Sequence, residues 1–195
     1  MVWVFGYGSL VWKTGFPYRR RLVGHVKGMT RRFWWWSLDH RGVPGAPGRV
    51  VNLLASDNPE SRVWGVAYEI PDEQWEGGVK DHLDHREKGG YKQQKTLFHP
   101  KESGESPIEV TLYLGPKDDK QYAGPAPLEE MALTILKSVS LIELTPFREM
   151  FRVVRQNSVN HKKFRLVPAA RTKNISTTWP MHFATLIKMM IISTN

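Results

Sequence analysis

Apolar and polar residues alternate in short runs along the first 115 residues, with glycine and proline between the runs. Period-two segments rich in β-branched and aromatic residues predict strands over 2–6, 22–26, 32–37, 49–54, 63–70, 91–98 and 108–114. Pro44, Gly45, Pro47 and Gly48 mark one long loop, and Asp57-Asn58-Pro59 a tight turn. A helix interrupts this β-dominated body from Pro71-Asp72-Glu73-Gln74, with Asp72 as the expected cap and an acidic first turn that suits the helix dipole. Trp75, Val79 and Leu83 recur every four residues as its buried stripe. Gly77 and Gly78 weaken it in the middle, and Gly89-Gly90 supplies its stop. A second helix is predicted after Gly124-Pro125-Ala126-Pro127, where Glu129 and Glu130 suit a first turn and Met131, Ile135 and Leu136 face the core. Beyond Ser140 the pattern fades: 141–154 reads as an amphipathic helix broken at Pro146, and 156–195 has no sustained period.

A chain of 195 residues, 41% of them hydrophobic, suffices for one domain with a core, or one domain and a tail. Zero cysteines exclude disulfides, thiolate metal sites and a cysteine nucleophile, and suit a reducing cytosol. The net charge of +9 is uneven, with +8 in residues 137–195 and +1 in the rest. Such a tail can touch an anionic surface. It lacks the clustered aromatic platform of a single-strand binder, so nucleic acid is not the expected partner. No basic segment followed by an apolar stretch opens the chain, and the longest apolar run, 183–192, is broken by Lys188 and short of the roughly 20 residues that span a bilayer. A soluble protein without a membrane partner is expected.

The first strand runs into Gly6-Tyr7-Gly8-Ser9-Leu10. Two glycines around one tyrosine are expected to adopt positive φ, so that successive amides converge on a carboxylate or phosphate. The phosphate-loop pattern is missing, as is the nucleophile elbow, so Ser9 is read as a binding residue. The next step of the apolar stripe is Glu87, and two readings follow. Pointing inward, its carboxyl gains a raised pKa by desolvation and becomes a proton acceptor near neutral pH. Bending outward at the helix end, it pairs with Arg86 or Lys88. His82, Asp84 and His85 form a rival set for a metal, against which no H-E-x-x-H signature appears and a polar surface helix is the simpler account. Trp34-Trp35-Trp36 beside Arg31-Arg32 either stacks a base or sugar or packs the core, and strand alternation buries at least one face of it. Asp39-His40-Arg41-Gly42 is a polar loop, and Arg49 after it is a structural turn residue or a charge at a pocket rim.

These motifs together resemble the ChaC-type glutathione-specific gamma-glutamylcyclotransferases, in their shorter, animal-type branch. The resemblance rests on Phe5-Gly6-Tyr7-Gly8-Ser9-Leu10, Arg31-Arg32-Phe33-Trp34, Asp39-His40-Arg41-Gly42-Val43-Pro44-Gly45, Gly48-Arg49-Val50-Val51, Val63-Trp64-Gly65-Val66-Ala67-Tyr68, Arg86-Glu87-Lys88-Gly89-Gly90-Tyr91 and 122–129, in the family's order over residues 2–137. It implies an α+β fold, the gamma-glutamylcyclotransferase-like mixed β-barrel with flanking helices. It also implies a cytosolic lyase that cleaves glutathione to 5-oxoproline and cysteinylglycine, with neither metal nor organic cofactor. The catalytic glutamate falls on Glu87, and the segment that holds the γ-glutamyl group on Val4, Phe5, Gly6, Tyr7, Gly8, Ser9 and Leu10. Arg49, Tyr91 and Tyr122 are further pocket candidates by adjacency. The family's pattern is lost near Val139, which divides the chain into a catalytic domain, 1–140, and an atypical basic segment, 141–195, expected to be partly disordered. Competing readings are cyclisation of other γ-glutamyl amines or dipeptides, a ligand-holding or partner-binding homologue impaired by its divergent end, and a nucleic-acid or anionic-surface binder driven by the basic residues of 137–195.

Overall fold

The strand that opens the chain, β1 (Val2–Gly6), is buried on both faces, and the architecture follows from that. In a computed structural model, residues 1–138 apart from 39–41, 44 and 88–89 are described, with backbone alone at 136 and 137. The segment 141–195 and the helix expected over 141–154 lie outside the described residues. So do Asp39, His40, Arg41, Pro44, Lys88 and Gly89.

β1 pairs antiparallel with β5 (Arg62–Ile70) and parallel with β7 (Ile108–Leu114), where Val4 faces Thr111. With β2 (Arg20–Lys27) and β6 (Lys92–Pro100) these strands close a barrel in the order β1-β5-β2-β6-β7. β3 (Met29–Ser37) and β4 (Gly48–Ala55) form a separate antiparallel ribbon, with a bulge between Arg32 and Trp35. The mixed barrel with flanking helices is thus observed, and each predicted strand is present with its ends shifted by at most three residues.

Strand alternation sends successive side chains to opposite faces. On one face Phe5, Leu22, Ala67, Phe98 and Leu112 fill the interior, the rings of Phe5 and Phe98 lying 5.6 Å apart. On the other, Val4, Val66, Tyr68 and Tyr113 meet Trp75, Val79 and Leu83, the predicted apolar stripe. Burying both faces of β1 and β5 makes these strands the seam between two halves of the core.

The stripe lies on a helix built differently from expectation. It begins as α1 (Asp72–Gln74), widens to a π turn over Trp75–Val79 and resumes as α2 (Lys80–Arg86). Gly78 takes φ of +120°, a conformation open to glycine, and supplies the break. Asp72 does not cap it: Pro71 holds that position without a side-chain bond, and the Asp72 carboxylate accepts from the α-amine of Met1 at 2.5 Å. Among the described residues the last helix, α3 (Leu128–Ser138), packs Met131, Ala132 and Ile135 against β4. The side chain of Leu136, expected to join them, is outside the described residues.

On another part of the barrel wall, His25 of β2 stands opposite Trp64 of β5 and His99 of β6, its ring 5.0 and 5.3 Å from theirs. Burial first, then the charges of Arg62, His99 and Lys27, press its pKa from 6.5 to about 4, with Glu60 opposing. Between those two values the unfolded chain binds a proton that the folded chain refuses, so stability falls as the pH drops from 6.5 toward 4. His25→Gln is expected to flatten that part of the acid limb of the melting temperature and leave it unchanged above pH 7, as read by thermal denaturation across pH.

Candidate active site

At Gly6 the last residue of β1 meets Val66 of β5, and the chain turns into a 3-10 segment, Ser9–Val11. Neither Gly6 nor Gly8 has positive φ, which overturns that expectation; Gly8 lies at −120°. Close approach explains the glycines instead. A Cβ on Gly6 would stand 2.7 Å from the Leu10 Cβ, and one on Gly8 2.9 Å from Cγ2 of Val51. The turn's own ladder starts with Val11 N–H donating to the Gly8 carbonyl at 3.1 Å, so the amides of Ser9 and Leu10 lie ahead of it.

Among the seven residues from Val4 to Leu10, the side chains of Val4, Phe5, Tyr7 and Leu10 are buried in the core. What the segment offers a ligand is therefore its backbone and the half-buried Ser9 hydroxyl. The Tyr7 hydroxyl donates to the Tyr113 carbonyl at 2.5 Å and so ties the turn to β7. Burial, and after it the negative charge of Glu87, pushes the Tyr7 phenol far above its ordinary value, against a smaller opposing effect of Arg31. Tyr7 is thus a fixed neutral donor.

Glu87 sits at the C-terminal cap of α2, its N–H donating to the Leu83 carbonyl at 2.8 Å. Its side chain is 20% exposed, with Arg86 Nε 3.8 Å from Oε1. The carboxylate is thus largely withdrawn from water, and Arg86 accompanies it beyond hydrogen-bonding distance. Its charge reaches both Tyr7 and Tyr113, so the acid stands beside the glycine turn, about eighty residues away in the chain.

Two anchors hold that helix end. Asp84 accepts from the Tyr113 hydroxyl and from Gln93 Nε2, each at 2.7 Å. Burial first, then the hydrogen bond to Asp84 and its charge, drives the Tyr113 phenol strongly upward. On the other side Arg86 donates to Ser9 Oγ at 2.9 Å and to the carbonyls of Lys13 and Thr14 at 2.8 and 3.1 Å. Asp84 is therefore engaged with Tyr113 and Gln93, and among the described residues no group of three His, Asp or Glu side chains is placed to hold a metal ion.

The remaining candidates frame this region. Tyr91 donates to the Val51 carbonyl at 3.2 Å and lies 5.1 Å from the ring of Trp35. Val51 is the neighbour that restricts Gly8, so Tyr91 backs the turn at one remove. Tyr122 bridges to Trp35, which is 1% exposed. Arg49 is buried, donates to the carbonyls of Phe33 and Gly124 at 3.1 and 3.0 Å and stacks on Trp36. It braces the ribbon against the segment leading to α3.

Arg31, Arg86 and Tyr113 were not singled out from the sequence as site residues. Arg31 is 2% exposed, donates to the Trp64 carbonyl and keeps its Nε buried without a partner. Burial lowers its pKa to about 10, against a smaller opposing effect of Tyr7, so it stays a cation at neutral pH. The signal for it was present: Met29, Arg31, Phe33 and Trp35 share one strand parity, so the alternation that buries Trp35 also buries Arg31.

The sequence profile of the family described as ChaC-like protein matches residues 2–142. The chain belongs to that family. It is 43% identical over 136 residues to glutathione-specific gamma-glutamylcyclotransferase 1 of Danio rerio, covering 69% of this chain and 68% of that protein. To the Homo sapiens protein of the same name it is 42% identical over 137 residues, covering 69% of this chain and 60% of the relative. Gamma-glutamylcyclotransferase 2-3 of Arabidopsis thaliana is 44% identical over 143 residues, with 70% of each chain covered. A crystal structure of a gamma-glutamyl cyclotransferase specific to glutathione from yeast superposes with a TM-score of 0.71 over 98% of this chain and 97% of that one, at 22% identity, and so shares the fold.

The Tyr113–Asp84 bond is the tie between β7 and the helix that carries Glu87. Tyr113→Phe is expected to cost about 1–2 kcal/mol, read as a lower urea midpoint with an unchanged slope.

Proposed function

We propose that this protein degrades glutathione by cyclising its γ-glutamyl group, releasing 5-oxoproline and L-cysteinylglycine, with Glu87 as the general base and then the general acid. What carries the reading is the meeting of a largely enclosed carboxylate with a glycine-built turn, in a chain 42–43% identical to animal proteins named for this activity.

Glutathione holds both reactants. The free α-amine attacks the γ-amide carbonyl, a C–N bond forms as the five-membered lactam closes, and the C–N bond to cysteinylglycine breaks. From ammonium to lactam N–H the α-nitrogen gives up two protons, one before attack and one as the C–N bond forms, and the departing nitrogen gains two as it leaves as an ammonium, with no water consumed and no change of oxidation state. A free α-amino group has a pKa of about 8, so its proton must be taken up by a base at neutral pH. Glu87 takes it and returns it to the leaving group. Folding the substrate into the cyclising conformer is the second requirement, and orientation of this kind supplies about 7–11 kcal/mol in favourable intramolecular cases.

The amides of the Tyr7-to-Leu10 turn and the Ser9 hydroxyl are the donors for the substrate's α-carboxylate or for the oxyanion that develops at the γ-carbon. Tyr7 supports them through its bond to β7, while Arg49, Tyr91 and Tyr122 maintain the frame behind the turn. Cytosolic residence goes with this reading and is supported by the absence of cysteine. Among the described residues no helix is long and apolar enough to cross a membrane. The catalytic unit is residues 1–140, with the basic segment outside it.

Glu87→Gln keeps the shape and removes the basicity. It is expected to lower 5-oxoproline formation from glutathione by about 10²–10⁴-fold with the circular dichroism spectrum unchanged, and near-normal turnover would refute the assignment. Gly8→Val drives a branched side chain into Val51 and is expected to raise KM for glutathione about tenfold, or roughly 1.4 kcal/mol, in the same assay. Comparing glutathione with γ-glutamyl-alanine separates this activity from general γ-glutamyl cyclisation.

A further inference from the structure

Arg86 precedes the catalytic glutamate, yet its guanidinium is turned toward the glycine turn. Its side chain is 14% exposed, so the three hydrogen bonds it donates, to Ser9 Oγ and to the carbonyls of Lys13 and Thr14, are largely shielded from water. The chain presents those carbonyls deliberately close: Gly15 takes φ of +73°, and a Cβ there would stand 3.1 Å from His82 Nε2 and 3.8 Å from Arg86 Nη1. A left-handed glycine reverses the chain so that it can run against α2.

The chemistry of the two groups determines what the contact does. A hydroxyl carries one proton and two lone pairs, and a guanidinium donates only. With Arg86 donating into Ser9 Oγ, the Ser9 proton must point away from Arg86, and a charged donor polarises the hydroxyl it bonds, which strengthens it as a donor in turn. Ser9 lies among the turn residues whose leading amides are outside the turn's own ladder. We propose that Arg86 is a positioning residue for substrate recognition: it commits the Ser9 hydroxyl to donate to the anionic α-carboxylate of a γ-glutamyl ligand, and it holds the turn at a set distance from Glu87.

This inference rests on the γ-glutamyl reading of the site and differs from it in assigning a task to a side chain that does not itself touch substrate. It predicts that Arg86 acts through Ser9. Two such residues lose their effects jointly, whereas a merely structural arginine loses stability regardless of what stands at position 9.

The test is a double-mutant cycle in the full chain, with Glu87→Gln present throughout so that glutathione binds without turnover, read by titration calorimetry. Ser9→Ala is expected to weaken glutathione binding about tenfold, Arg86→Met to do the same, and the double variant to be no weaker than the worse single variant, tenfold being about 1.4 kcal/mol. Independent losses that multiply to about a hundredfold, or an Arg86→Met variant that binds normally, would overturn the proposal. Where loss of the cation prevents folding, Arg86→Lys takes its place under the same criteria, since one ammonium cannot reach Ser9 and both carbonyls as the planar fork does. A 5-oxoproline assay of the unsubstituted protein runs alongside. Turnover with a multiplicative cycle removes the Arg86 assignment alone. No turnover with a coupled cycle removes the activity and leaves Arg86 as a recognition device. Absence of glutathione binding overturns the Arg86 proposal.

Discussion

A five-residue strand with two hydrogen-bonded neighbours and no exposed face is the constraint on which this molecule depends. β1 pairs antiparallel with β5 and parallel with β7, and the parallel partner is what closes the barrel. Because Val4 faces the helix side and Phe5 the interior, the strand cannot slip by one residue without exchanging its two sets of contacts. Register there is strongly specified, and with it the position at which the strand ends. Gly65 reinforces this: a Cβ on it would stand 2.3 Å from the Gly6 carbonyl, so β5 approaches β1 as closely as backbone permits.

Everything in the site is referred to that strand end. The glycine turn leaves β1 at Gly6, and Tyr7 returns its hydroxyl to the Tyr113 carbonyl on the other neighbour, β7. Tyr113 then reaches outward to Asp84 on α2, so one tyrosine joins the turn, the barrel wall and the acid-bearing helix. Arg86 closes the loop by returning from α2 to Ser9. The acid is held from both sides because the helix segment that carries it has seven residues, follows a widened turn, and would not be stable alone.

Charge follows the same geometry. Glu87 is largely enclosed, Arg86 lies beside it, and Arg31 is buried with, among the described residues, no carboxylate in hydrogen-bonding contact. A buried cation is tolerated where backbone carbonyls take up its protons and where a neighbouring group welcomes the charge. For Arg31 the Trp64 carbonyl accepts from the guanidinium. Among the described residues, Glu87 and Asp84 are thus the carboxylates at this helix end, with Arg86 and the hydroxyls of Tyr7, Ser9 and Tyr113 around them.

Periodicity and composition determined much of this. Seven strands, the stripe of Trp75, Val79 and Leu83, and the continuation of that stripe to Glu87 are local properties, because alternation and helical repeat are written in neighbouring residues. The motif resemblance likewise assigned the family and the glycine turn. Tertiary structure alone decided how the turn is made: glycine at positions 6 and 8 answers to Leu10 and Val51, and a clash across space leaves no trace in local pattern. It also decided that Asp84 is a tether and Arg86 a clamp. Their partners are 29 and 77 residues away, and a side chain's role in such a pair is set by which distant strand the barrel brings beside it.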